Sequence, residues 1–161
     1  MTTSQPKTAL LLGIGVLSVA AVAAALVTQH VFDMQPCPWC VLQRLIFVGI
    51  ALAALLGLVW RSTLGQRVSV VSVVLLGLCG VAAALWQHFV AAASASCNLT
   101  LAERFISGLS LDALLPEIFQ PRASCADGAA TLLGVPYEFY SLALFILISI
   151  LALRSMVRST R

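Results

Sequence analysis

Two cysteines three residues apart, Cys37 and Cys40, sit in the stretch Gln-Pro-Cys-Pro-Trp-Cys-Val-Leu-Gln-Arg over residues 35–44. A pair with this spacing closes a small disulfide, binds a metal or shuttles electrons. As a brace it contributes little, because the ring it closes is already short. As a redox pair the spacing works well: one thiolate attacks a partner and the other resolves the mixed disulfide. Haem attachment is excluded, since it needs His directly after the second cysteine and Val41 stands there. A second pair, Cys97 and Cys125, lies much further along the chain. Together the four cysteines leave a zinc site as the remaining competitor to thiol exchange.

Which chemistry applies depends on what holds these residues. The chain has 161 residues, of which 61% are hydrophobic and only 9% charged. A soluble domain carries about 25% charged residues, so this chain has too few to cover a water-facing surface. Four apolar segments, over approximately residues 9–28, 41–60, 68–90 and 139–153, suit a hydrocarbon core of about 30 Å at about 1.5 Å per helical residue. The first exceeds the usual apolar core of a cleaved signal peptide, about 7–15 residues, and is read as a retained helix. The net charge of +3 does not point to nucleic acid, because the cations are scattered and mark topology instead.

Those cations sort by side. Lys7 precedes the first span, Arg61 and Arg67 fill the turn between the second and third, and Arg154, Arg158 and Arg161 follow the fourth. All six acids, Asp33, Glu103, Asp112, Glu117, Asp127 and Glu138, fall on the opposite side, against Arg104 and Arg122. The positive-inside rule then places both termini in the cytoplasm, with loops of residues 29–40 and 91–138 facing outward. Trp39, Trp86, Tyr137 and Tyr140 mark the outer boundary and Trp60 the inner one, where amphipathic rings prefer to lie.

In the first loop, Pro36 and Pro38 flank Cys37; neither can continue a helix inward, though Pro38 suits a first turn, so the second helix is expected to begin at or near Cys40. The second loop is longer than a connection requires. Leu109, Leu111, Leu114, Leu115, Ile118 and Phe119, interleaved with Asp112 and Glu117, predict a short amphipathic segment on the membrane surface; self-packing of the loop is the competing reading. Small residues, Gly49 with Ala53 and Gly77 with Gly80 and Ala84, allow close helix approach. The expectation is an all-α membrane protein: one transmembrane four-helix bundle over residues 1–161, with two periplasmic loops.

Depth separates the cysteines. Cys79 lies eleven residues before Val90, about 16 Å below the outer surface, too deep to bond the loop cysteines. It is expected to be a small buried apolar residue. The other four lie on the oxidising side, where disulfides persist, and their connectivity stays open among three possibilities. A Cys97–Cys125 bond would close a loop of about 29 residues and contribute roughly 3 kcal/mol in the chain-entropy picture. Arg44 follows Cys40 by four positions and so shares its helix face. A charge one turn inside the membrane is expensive and usually functional, the competing reading being an arginine that snorkels to the headgroups. His88, near the outer end of the third span, is placed to reach the same region.

Taken together, these features resemble the DsbB family, bacterial inner-membrane thiol oxidases that reoxidise the periplasmic dithiol oxidant DsbA. Cys-Pro-Trp-Cys-Val-Leu-Gln-Arg is similar to the family's C-x-x-C-x-x-x-R, and Cys97 with Cys125 to its long-loop disulfide. The resemblance implies a relay: a reduced DsbA-like partner attacks Cys97, Cys125 is released, and the Cys37–Cys40 disulfide reoxidises that pair. Electrons then leave Cys40 for ubiquinone or menaquinone, with Arg44 and His88 lining the quinone site. Two other classes fit less well. A four-span structural protein, tetraspanin-like in outline, leaves the C-x-x-C and Arg44 unexplained. A vitamin K epoxide reductase-like enzyme would carry its active pair late in the chain, whereas here it opens the second helix.

Overall fold

In a computed structural model, described over residues 5–91, 101–124, 131–132 and 134–159, four long helices carry the chain back and forth. They are α1 (Gln5–Val31), α2 (Pro38–Val59), α3 (Thr63–Trp86), prolonged by a π-helical turn at Gln87–Ala91, and α7 (Tyr137–Ser159). All four are long and apolar enough to cross a membrane. Each starts before the segment expected from hydropathy, and all but α2, which stops at Val59, also end beyond it, because helix continues through polar end turns such as Thr28–Gln29–His30 and Thr63–Gly65–Gln66. Packing runs α1 on α2, α2 on α3 and α3 on α7, with a smaller contact between α1 and α7.

α2 starts two residues before Cys40, with Pro38 in its first turn. Cys37 is its N-cap, and Pro38, not Cys40, is its first helical residue. Proline suits that place because it has no N–H to leave unsatisfied and its φ is already helical. At the other end, the Trp60 N–H closes on the Leu56 carbonyl at 2.8 Å. After a tight turn, Ser62 caps α3 by accepting from the Gly65 N–H at 3.1 Å.

Midway along the bundle the core is apolar: Leu11, Ile14, Phe47, Ile50, Ala54, Val73, Phe145 and Ile148 are all buried. The Phe47 and Phe145 rings stack with centroids 4.1 Å apart and planes 10° from parallel. That stack needs α3 to come close to α7, and glycine permits it. A methyl group at Gly80 would overlap the Phe145 ring, and one at Gly77 would overlap the Ser149 hydroxyl. Two serines within the core return their hydroxyls to helix carbonyls, Ser69 to Ala53 at 2.6 Å and Ser149 to Phe145 at 2.7 Å. The outward faces present Leu12, Val16, Leu52, Leu55, Leu75 and Leu78, as a lipid-facing surface should. Cys79 belongs to that surface: it is exposed, not buried in the bundle as expected. Both sides of α3 are apolar, so hydropathy did not separate core from lipid there.

Beyond the bundle, the long loop holds α4 (Leu101–Gly108), α5 (Leu111–Leu114), α6 (Pro116–Phe119) and a two-stranded ribbon, β1 (Thr131–Leu132) with β2 (Val135–Pro136). The pairs are Thr131 with Pro136 and Leu132 with Val135, turned at Gly134, whose φ of 81° suits glycine. The loop divides its apolar residues. Ile106 and Phe119 are buried against Val41 of α2, with Leu111 and Ile118 packed beside them. Leu101, Phe105, Leu109, Leu114 and Leu115 remain exposed. The expected amphipathic segment is therefore present, and it both packs on α2 and offers an apolar face outward.

Candidate functional site

The site is built at the loop end of the bundle, where α2 begins. The cap geometry draws the two sulfurs together: Cys37 Sγ accepts from the Cys40 N–H at 3.3 Å, and the sulfurs lie 2.9 Å apart. Cys37 is buried, whereas Cys40 is partly exposed and lines a cavity between α1, α2 and α7. Arg44, Gln43, Phe47, Tyr137 and Glu138 line the same cavity. Ala21 and Ala24 on the α1 side leave it room.

Cys40 has a donor on its far side. Gln87 donates from Nε2 to Cys40 Sγ at 3.2 Å, and its own Oε1 accepts from Gln43 Nε2 at 2.7 Å. Both amides are buried, so this two-link chain fixes which end of Gln87 faces the sulfur.

Arg44 does not snorkel. It is 5% exposed and turns inward, donating to Gln29 Oε1 at 2.7 Å and to the Ala25 and Ile118 carbonyls at 3.2 Å each. These partners hold the guanidinium in place without neutralising it, for all three are uncharged. Among the described residues no carboxylate pairs with it. A buried cation with dipolar partners beside an apolar cavity is suited to a ligand carrying oxygen.

His88 stands one step removed. It does not line the cavity; it reaches the cavity through Glu138, with Nδ1 2.8 Å from Glu138 Oε1. The His88 ring meets Phe89 edge-on and Phe139 at a tilt, with centroids 4.9 and 4.7 Å away. Gln87 and His88 are consecutive in the π-helical turn, a local widening of the helix that often marks functional sites. From that turn one side chain meets α2 and the next meets α7.

Cys97 and Cys125 lie outside the described residues. The approach to Cys125 is visible: the Arg122 and Ala123 N–H groups donate to the Pro36 carbonyl at 3.0 and 3.3 Å. The second loop is thus sewn to the first beside Cys37. The structure brings Cys37, Cys40 and Arg44 together as the spacing required. Sequence reasoning missed Gln29, Gln43, Gln87 and Glu138. Two of them had a signal, since Gln43 precedes Arg44 and Gln87 precedes His88, each a neutral polar residue within an apolar span.

The sequence model of the family described as "Disulfide bond formation protein DsbB" matches residues 7–154. Among similar curated proteins, Disulfide bond formation protein B of Herminiimonas arsenicoxydans is 30% identical over 159 residues, covering 98% of both chains. Its namesake from Pseudomonas syringae pv. tomato is 31% identical, covering 92% of this chain and 88% of that protein. A third from Cupriavidus necator is 33% identical, covering 86% of each.

Proposed function

This chain belongs to the DsbB family, multi-pass membrane proteins of disulfide bond formation, and on that premise we propose that it is a protein-dithiol:quinone oxidoreductase. It works in the bacterial inner membrane with both termini cytoplasmic and its reactive cysteines facing the periplasm. The observation that carries this reading is that Cys40 opens onto the cavity into which Arg44 also faces, with Cys37 Sγ only 2.9 Å behind it.

The relay runs inward from the loop. A thiolate of a reduced DsbA-like partner attacks Cys97 of a Cys97–Cys125 disulfide, and the partner's second thiol completes its own disulfide, leaving Cys97 and Cys125 reduced. Cys125 then attacks Cys37 of a Cys37–Cys40 disulfide and Cys97 resolves the Cys37–Cys125 bond, so two electrons and two protons reach the inner pair. The seam of Arg122 and Ala123 on Pro36 supports this exchange, because it ties the chain leading to Cys125 to the residue preceding Cys37. Gln87 orients Cys40 Sγ, and Arg44, held by Gln29, aims its positive charge into the cavity.

A membrane quinone, ubiquinone or menaquinone, fits this donor set: Phe47 and the alanines suit a flat apolar ring, and Arg44 suits its oxygen. When bound it supplies a two-electron, two-proton acceptor. An external acceptor is needed on energetic grounds. DsbA-type oxidants sit near about −120 mV and ordinary structural disulfides below about −300 mV, so oxidation by the latter is uphill by roughly 8 kcal/mol.

The test is reconstitution: purified protein, a quinone and a reduced DsbA-like partner, followed by quinone absorbance. Parent protein is expected to turn over and Cys40→Ser to fall to background. Unchanged turnover in Cys40→Ser removes the relay.

A further inference from the structure

We propose that Glu138 and His88 form a proton-delivery pair serving the cavity that Cys40 lines, with His88 taking protons from outside and Glu138 handing them in. The proposal rests on the quinone reading above and adds the route by which the acceptor receives its protons.

The argument is one of exposure and elimination. The His88 side chain is 33% exposed and that of Glu138 only 7%, and the two are joined at 2.8 Å. Glu138 lines the cavity and His88 does not. The pair therefore forms a graded path from the outer boundary to the cavity wall. The other titratable groups on that wall are otherwise engaged. Cys40 is the thiol being oxidised, and Arg44 does not release protons. The Tyr137 hydroxyl is paired with Thr28 at 3.1 Å, and the Tyr140 hydroxyl donates to the Leu132 carbonyl at 2.8 Å. Among the described residues that line the cavity, Glu138 is the carboxyl group, and its partner His88 is the more exposed of the two.

The step balances. Closing the Cys37–Cys40 bond breaks two S–H bonds and releases two electrons and two protons; reducing a quinone to its hydroquinone consumes two of each. Glu138 would hand its carboxyl proton to the acceptor held in the cavity, His88 would restore it and water would restore His88, while the thiol protons return to water. Glu138 is thus a catalytic residue, and His88 acts through it.

A purely structural role, tying α7 to the end of α3, makes different predictions. Glu138→Gln keeps a hydrogen-bonding side chain of the same shape but carries no exchangeable acid. It is expected to lower kcat about tenfold to a hundredfold, in the range of general acid–base contributions, with quinone KM changed less than about twofold. His88→Ala is expected to lose turnover similarly and to regain several-fold with added imidazole. Infrared difference spectra taken on quinone reduction should show a carboxyl C=O band that Glu138→Gln removes. A kcat within twofold of the parent, a raised KM with kcat unchanged, absence of imidazole rescue, or a carboxyl band that survives in Glu138→Gln would each overturn the proposal. If the parent itself reduces no quinone, the quinone reading falls and takes the pair with it. With an active parent and indifferent variants, only the pair falls.

Discussion

The middle of this bundle and its loop end are made from the same helices and held by opposite means. Around Phe47 and Phe145 the contacts are apolar, with glycines admitting an aromatic stack. Around Cys40 and Arg44 the contacts are hydrogen bonds between buried polar groups, Gln43 to Gln87 to sulfur and Arg44 to Gln29. In lipid, apolar burial drives helix association weakly, so the middle depends on shape. The loop end depends on satisfying each polar group, and among the described residues Arg44 has no carboxylate partner. Shape sets stability in the first region; in the second, the buried Arg44 charge is what the proposed function assigns to a ligand.

The contrast can be broken by substitution. The largest effect is expected from Gly80→Leu, which forces a side chain into the Phe145 ring. Overpacking costs about 1–3 kcal/mol and sometimes more, and here it also separates α3 from α7, so thermal unfolding in detergent should drop sharply or the protein fail to accumulate. Arg44→Ala should act differently. Loss of a charged hydrogen bond, about 1.5–3 kcal/mol, weakens apparent quinone affinity by about ten- to a hundredfold; because the change also strands Gln29 Oε1 and the Ala25 and Ile118 carbonyls, the unfolding temperature falls too, but less than in Gly80→Leu. An Arg44→Ala variant that loses as much stability as Gly80→Leu yet binds quinone normally would erase the distinction between the regions. A smaller effect is expected from Gln87→Leu: Cys40 loses its side-chain donor, and its alkylation rate should fall about twofold to tenfold, as one hydrogen bond allows. Least of all is Cys79→Ala on the lipid face, which should leave stability within about 0.5 kcal/mol and turnover unchanged.

What the sequence made legible follows the same division. Span number and the face shared by Cys40 and Arg44 are local properties, fixed by hydropathy and by helical spacing, and both hold. The inward fate of Gln29, Gln87 and Glu138 is not local. It depends on which helix each meets, and nothing in a run of neighbours states that. Cys79 shows the same limit from the other side, since an apolar residue on a helix in lipid is at ease in either direction. The long loop was legible in character but not in detail: alternating leucines marked an amphipathic segment, while α4, with Glu103 and Arg104 in its first turn, offered a weaker pattern.

The π-helical turn has a consequence for timing. Gln87 touches the Cys40 sulfur, from which electrons leave in the proposed relay, and His88, one peptide bond later, touches the Glu138 carboxylate, the proposed entry for protons. On that reading the two flows would reach the cavity from different walls yet share one stretch of backbone. A displacement of that turn would loosen both contacts together, so the proposed electron and proton steps would be coupled through it.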